Sequence, residues 1–315
     1  MLALRGGGMV ENLALSEGGP QMQTIRTIGV VGAGQQGRGI AQLAATNGYQ
    51  VRLVDRDLAH AVAGRDRVAQ SVARLAVRRR ISGDEADGIL SRVVAEPGLA
   101  ALGDCDFVVE AVTEDVALKQ RIFAELDGIL RRGTILASNT SSISLTKLAA
   151  ATQRPELVIG LHFMHPVPAM QLVEIVRALQ SSDETYEVTC DLARRLGKTI
   201  VTTKDMPAFI VNRLLIPQLN EACFALTEGL GTVEEIDLAV RLGLNHPMGP
   251  FQLADLLGLD TVLTIAEVLQ REFGDDKYRP PTILRNYVAA GWTGRKSGRG
   301  FYRYQDEPAS ERRLK

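Results

Sequence analysis

A short apolar, β-branched run from Thr24 to Val31 leads without a break into Gly32-Ala33-Gly34-Gln35-Gln36-Gly37. A helical pattern continues through Ala41, Leu43 and Ala44. This stretch leaves the chain little choice. The run reads as a buried strand, the glycines as a tight turn, and residues 35–46 as a helix folded back onto the strand. Gly32 admits the turn, Gly34 lets backbone approach a pyrophosphate, and Gly37 lets helix and strand close on each other. The helix start, at Gln35 and Gln36, aims its free N–H groups at the same anion.

A second strand, Gln50 to Val54, ends in Asp55, 18 residues after Gly37. An acid at that place hydrogen-bonds an adenosine ribose and repels a 2′-phosphate, so the expected cofactor is NAD rather than NADP. Asp57 to Arg80 reads as a long helix whose end carries Arg74, Arg78, Arg79 and Arg80. That end is either a solvated basic face or a patch for a phosphorylated substrate; Ser71 and Arg78, seven residues apart, share one side of it. A short helix from Asp84 to Ser91 and a strand at Val93-Val94 come next, then a strand of the parallel, fully buried kind from Phe107 to Val112. Ligand crevices open at the carboxyl ends of such strands. Glu114, just beyond, is read two ways, as a contact to the nicotinamide half of a dinucleotide or as a helix cap. The next strand, Thr134 to Ser138, ends in Ser138-Asn139-Thr140-Ser141-Ser142 ahead of a short helix. One cap needs one hydroxyl, and several are present; Ser141 is a candidate to hold a substrate oxygen.

Two more apolar runs, around Leu161-His162-Phe163 and Leu172-Val173-Glu174-Ile175-Val176, are separated by Pro166 and Pro168. The prolines force a turn, so His162 and Glu174 fall on neighbouring strands and can face each other. A buried carboxylate beside an imidazole fixes its tautomer and stabilises its protonated form, which suits a general base for alcohol oxidation. After a helix from Asp183 to Leu196 and a strand from Thr199 to Thr203, the strand–helix alternation stops. The remainder reads as helices over 208–226, 233–242, 251–273 and 282–290.

The expected architecture is therefore α/β: a Rossmann-type doubly wound sheet over 24–204, then an all-helical second domain over 205–315, with residues 1–23 a disordered extension. Within the second part, Asn212 interrupts an apolar run and should find a buried partner. His246 reads as a loop residue. Gly294 to Tyr302 reads either as a phosphate cradle or as a tail lying back over the body. An apolar fraction of 45% suffices for real cores, and a net charge of -1 gives no reason to expect nucleic acid or an anionic membrane as partner. No run approaches a membrane span in length. Cys105, Cys190 and Cys223 share no metal-ligand spacing and read as reduced thiols, hence no metal and a cytoplasmic location.

Taken in order, Gly32–Gly37, Ser138–Ser142, Leu161–Glu174, Pro207–Arg213, His246–Phe251 and Gly294–Tyr302 make residues 24–304 resemble the L-3-hydroxyacyl-CoA dehydrogenases, the bacterial 3-hydroxybutyryl-CoA dehydrogenases among them. The resemblance implies NAD as cofactor and a (3S)-3-hydroxyacyl-CoA thioester as substrate. It implies His162 and Glu174 as the catalytic base pair, Ser141 on the substrate oxygen and Asn212 beside both. It implies Asp55 on the ribose, Glu114 and Lys119 on the nicotinamide side, and Asn139 with the turn residues around the cofactor. It implies Ser71 and Arg78 on CoA, and a homodimer formed through the helical domain. One position departs: His165 stands where the family usually has Asn, which is expected to bear on how the substrate is positioned. Two rival readings are a dehydrogenase of a free hydroxy or sugar acid, resembling the gulonate dehydrogenases, and a non-catalytic NADH-binding protein resembling the crystallins of this fold.

Overall fold

The computed structural model describes residues 25–304; the extension expected over 1–23 lies outside them. The first part alternates as expected: β1 (Thr27–Val31), α1 (Gln35–Thr46), β2 (Gln50–Val54), α2 (Leu58–Val77), α3 (Gly83–Ser91), β3 (Val93–Glu96), β4 (Phe107–Glu110), α4 (Val116–Ile129), β5 (Ile135–Ser138), α5 (Leu145–Ala149), β6 (Val158–Phe163), β7 (Leu172–Arg177), α6 (Asp183–Arg195) and β8 (Thr199–Lys204). These strands form one eight-stranded sheet in the order β3-β2-β1-β4-β5-β6-β7-β8. β1 to β6 are parallel; β7 runs antiparallel to β6 and parallel to β8. The order reverses between β1 and β4, and a crevice opens outside the carboxyl ends of strands at such a switch point.

Apolar side chains of α1, α2, α3 and α6 cover one face of the sheet, and those of α4 and α5 cover the other. With both faces buried, the central strands have no solvent-facing side, which is why β4, β5 and β6 read as apolar runs broken only by Glu110, Ser138 and His162. β8 is the exception. Its sequence predicts a further apolar strand, but it lies at the sheet edge and is mostly exposed.

The second part is helical: α7 (Val211–Thr227), α8 (Val233–Gly243), α9 (Pro250–Leu257), α10 (Leu259–Phe273) and α11 (Thr282–Ala289). α7 is its spine, packing Ile216 and Leu219 into a core with Val262, Ala266, Leu269 and Leu284.

Several expected spans differ. β4 stops at Glu110 because the Val112 amide turns back to the Glu110 carboxylate. α2 stops at Val77 because Arg79 takes a left-handed conformation and the Arg80 amide closes onto the Leu75 carbonyl. The helix expected over 251–273 is two helices, broken at Gly258 with φ +98°. The apolar periodicity runs through the break, so pattern alone could not locate it.

Candidate functional site

β6 and β7 pair so that His162 stands directly across from Glu174. Both side chains are buried, and Nδ1 of His162 lies 2.8 Å from Oε2 of Glu174. The other carboxylate oxygen accepts the Ile210 and Val211 amides, each at 3.0 Å. These are the first amides of α7, which has no side-chain cap of its own, so Glu174 serves as that cap from another strand. Burial alone would push the Glu174 carboxyl up. The His162 ring and the two amides outweigh it and hold the group below the usual carboxylate range.

The amides reach Glu174 because Ala208 and Phe209 both adopt left-handed backbone, with φ of 62° and 52°. That conformation is disfavoured for residues with a Cβ and persists where packing over-determines it. Here it also delivers the buried Phe209 ring onto His162, at 5.5 Å between ring centroids. Phe209 is a member of the site that sequence reading does not identify.

A second network lies at the carboxyl ends of β4 and β5. Oε1 of Glu114 accepts from the Thr140 hydroxyl at 2.5 Å and from the Ser141 and Ser142 amides at 2.9 Å each. The Ser142 hydroxyl donates to it at 2.9 Å and the Ser141 hydroxyl at 3.3 Å. Burial raises the Glu114 carboxyl, but the Lys119 ammonium and these donors more than reverse it, and the group sits low. Glu114 therefore organises the hydroxyl-rich turn. It does not cap α4; Asp115 does, through the Leu118 amide. Nor do residues 138–142 cap α5, where Ser144 and Asp205 take the free amides.

Beneath this turn Lys119 is 1% exposed, with Nζ 2.6 Å from Glu110 and 3.5 Å from Glu114. Glu110 also accepts the Ser138 hydroxyl at 2.6 Å. Sequence reading passes over Glu110, although an acid inside an apolar run is the same signal that marks Glu174. Asn139 is buried, and its Oδ1 accepts the Phe163 amide at 2.9 Å, tying the hydroxyl turn to the residue after His162.

The glycine turn fits a dinucleotide. A Cβ on Gly32 or Gly37 would strike backbone at 2.7 or 1.7 Å, whereas Gly34 faces open space. α1 starts without a side-chain cap, and Gln36 buries an amide oxygen that has no protein partner. Asp55 accepts the Ala33 amide at 2.6 Å and so sits against the turn at the end of β2. The free amides at the start of α1 supply donors for a pyrophosphate, and Asp55 supplies an acceptor for a ribose hydroxyl.

Other expected residues fall differently. Asn212, for which the pattern predicts a buried partner, is half-buried in the first turn of α7, and no hydrogen bond to its side chain occurs among the described residues. The buried asparagine of α7 is Asn220, which donates to the Tyr278 and Arg279 carbonyls. Ser71 and Arg78 lie near the C-terminus of α2, Arg78 as its exposed final cap, outside both networks. The Gly294–Tyr302 segment is a tail over the body: Phe301 and Tyr302 donate their amides to the buried Asp255 carboxylate, at 3.0 and 2.9 Å. Lys198 is a further residue that the sequence does not single out. Its buried ammonium donates to the Val167 and Met170 carbonyls, at 2.6 and 2.7 Å, and fastens the β6–β7 turn.

No group of side chains suited to a metal ion occurs among the described residues, and none of their helices is long and apolar enough to cross a membrane. Residues 27–206 match the family model described as 3-hydroxyacyl-CoA dehydrogenase, NAD binding domain. Residues 209–304 match 3-hydroxyacyl-CoA dehydrogenase, C-terminal domain. A 3-hydroxybutyryl-CoA dehydrogenase of Bradyrhizobium diazoefficiens is 48% identical over 281 residues, covering 89% of this chain and 96% of that protein. A probable 3-hydroxybutyryl-CoA dehydrogenase of Bacillus subtilis is 48% identical over 283 residues, covering 90% and 99%. The crystal structure of the (S)-3-hydroxybutyryl-CoA dehydrogenase of Ralstonia eutropha superposes with a TM-score of 0.86 at 48% identity, covering 90% of this chain and all of that one.

Proposed function

Since the chain belongs to the 3-hydroxyacyl-CoA dehydrogenase family, we propose that it oxidises a (3S)-3-hydroxyacyl-CoA to the 3-ketoacyl-CoA with NAD, or runs the reverse reduction. The observation that carries this reading is the buried His162–Glu174 pair, 2.8 Å apart. NAD, when bound, supplies the hydride acceptor. Everything else falls to side chains of this protein.

Glu174 takes the Nδ1 proton of His162 as a hydrogen-bond acceptor, which leaves Nε2 as the basic nitrogen. His162 removes the proton of the 3-hydroxyl through Nε2 as the carbinol carbon is oxidised, and Glu174 balances the charge that develops on the ring. Ser141 holds the same oxygen. Its position is set by the Glu114 cradle, which accepts both its amide and its hydroxyl. Asn212, one residue into α7 from the amides bound by Glu174, offers its free amide to the substrate. Gly32, Gly34, Gln35, Gln36 and Gly37 hold the pyrophosphate and Asp55 the ribose, with Glu114 and Asn139 on the nicotinamide side. Lys119 acts there from below, through Glu114. Ser71 and Arg78 take the CoA end.

We place the domain division at Lys204-Asp205, where the sheet ends. A homodimer through the second domain has the support of Leu214, Leu238, Leu242 and Leu244, which are large apolar residues left 47–71% exposed on α7 and α8 and the residue just after α8. A reducing, cytoplasmic setting has the support of three buried, unpaired cysteines. The free-acid and non-catalytic readings are not favoured by the relatives. His162→Gln tests the assignment. It should lower kcat by roughly 10²–10⁴ while NADH still binds; near-normal turnover would refute the role of the pair.

A further inference from the structure

His165 replaces the asparagine expected in its family, and at sequence level the change points toward the substrate. The structure turns it the other way. The 164–170 turn rests on α1: a Cβ on Gly39 would meet Val167 at 3.0 Å, and Lys198 pins the turn through the Val167 and Met170 carbonyls. From this seat Nε2 of His165 lies 2.7 Å from Nε2 of Gln35. Gln35 is the first residue of α1, inside the glycine turn. An amide nitrogen can only donate, so the ring nitrogen accepts and the proton of a neutral imidazole sits on Nδ1. Partial burial and the nearby Arg38 guanidinium hold the ring below the ordinary histidine range, which keeps that acceptor available at neutral pH.

We infer that His165 is a positioning residue for the dinucleotide: it fixes the Gln35 side chain over the glycine turn and so joins the His162 strand to the cofactor phosphates. One Nε2 proton of Gln35 is taken by His165, and the second is left for a phosphate oxygen. The inference rests on NAD binding at this turn and needs no assumption about the substrate.

The test is a fluorescence titration of NADH against the full-length protein, with His165→Ala, Gln35→Ala, the double variant, and His165→Gln, whose amide oxygen can also accept. Loss of one hydrogen bond predicts a roughly 3- to 10-fold rise in the Kd for NADH for either alanine variant. The double variant should be no weaker than the worse single one, because the two share one interaction. His165→Gln should recover part of the loss. In steady state the KM for NADH should rise while the KM for acetoacetyl-CoA stays put. Unchanged NADH affinity in His165→Ala, or fully additive losses in the double variant, would overturn the inference. So would a defect confined to the KM for the thioester. A wild type that reduced free acetoacetate but not acetoacetyl-CoA would sink the substrate assignment instead and leave the NADH titration fully readable.

Discussion

Glu174 binds two things at once: Oε2 holds the ring of His162 at 2.8 Å, and Oε1 holds the Ile210 and Val211 amides at 3.0 Å. One carboxylate therefore orients the His162 ring and docks the first helix of the second domain onto the last strands of the first. The geometry of His162 and the placement of that helix cannot change independently.

Glu174→Gln keeps the size and removes the charge. The amide can still accept on one side but cannot balance a protonated imidazole. We expect kcat to fall by about 10²–10⁴, with the Kd for NADH within a few-fold of wild type. Stopped-flow measurement of NADH oxidation at saturating acetoacetyl-CoA checks this. Loss of NADH binding together with turnover would mean that the substitution had disturbed the fold rather than the base.

The same carboxyl predicts a pH dependence of stability. Its folded-state pKa lies below the ordinary value of 4.5. A depressed carboxyl contributes stability that is fully present above 4.5 and is lost as the pH falls through the lower folded value. Urea midpoints of wild type and Glu174→Gln should therefore converge as the pH is lowered below 4.5. Parallel curves across that range would contradict the shift.

Lys119 and Glu110 are each about 1% exposed and 2.6 Å apart. Removing one partner strands a buried charge, so Lys119→Met should destabilise the protein by about 3–5 kcal/mol. Lys119→Met with Glu110→Leu should lose less than the single change, because the fully buried Glu110 carboxylate is no longer stranded and only the partly exposed Glu114 is left without its cation. Chemical denaturation of the three proteins decides it. A double variant less stable than Lys119→Met alone would mean that the pair does more than balance itself.

Much of the fold and the pairing of His162 with Glu174 is legible in the sequence, and the failures have physical reasons. His162 and Glu174 stand out because a polar residue inside an apolar run must have a reason to be buried, and the two prolines place them face to face. The same logic applies to Glu110, yet its partner Lys119 lies nine residues on in a helix, where a lysine reads as surface. The helix break at Gly258 is hidden because apolar spacing continues through it. Asp255 is hidden for another reason. It is the acceptor for the Phe301 and Tyr302 amides and the Tyr304 hydroxyl, and contacts spanning more than 40 residues leave no local trace. Left-handed Ala208 and Phe209 are unreadable in principle, since neither residue prefers that conformation.

Asp255 accordingly anchors the closing segment. Asp255→Ala would leave two amides and the Tyr304 hydroxyl without their acceptor, and should destabilise the second domain by about 1–3 kcal/mol. Limited proteolysis should then cut first within Gly294–Tyr304. Wild-type resistance there would show that other contacts hold the tail.

The most direct measurement is NADH oxidation at neutral pH with acetoacetyl-CoA, run beside free acetoacetate. Fast turnover with the thioester and little with the free acid is the predicted result, since we propose that Ser71 and Arg78 recognise the CoA end and that the His162 site performs the reduction. Turnover with the free acid alone, or with neither while NADH binds, would contradict the assignment of a 3-hydroxyacyl-CoA substrate.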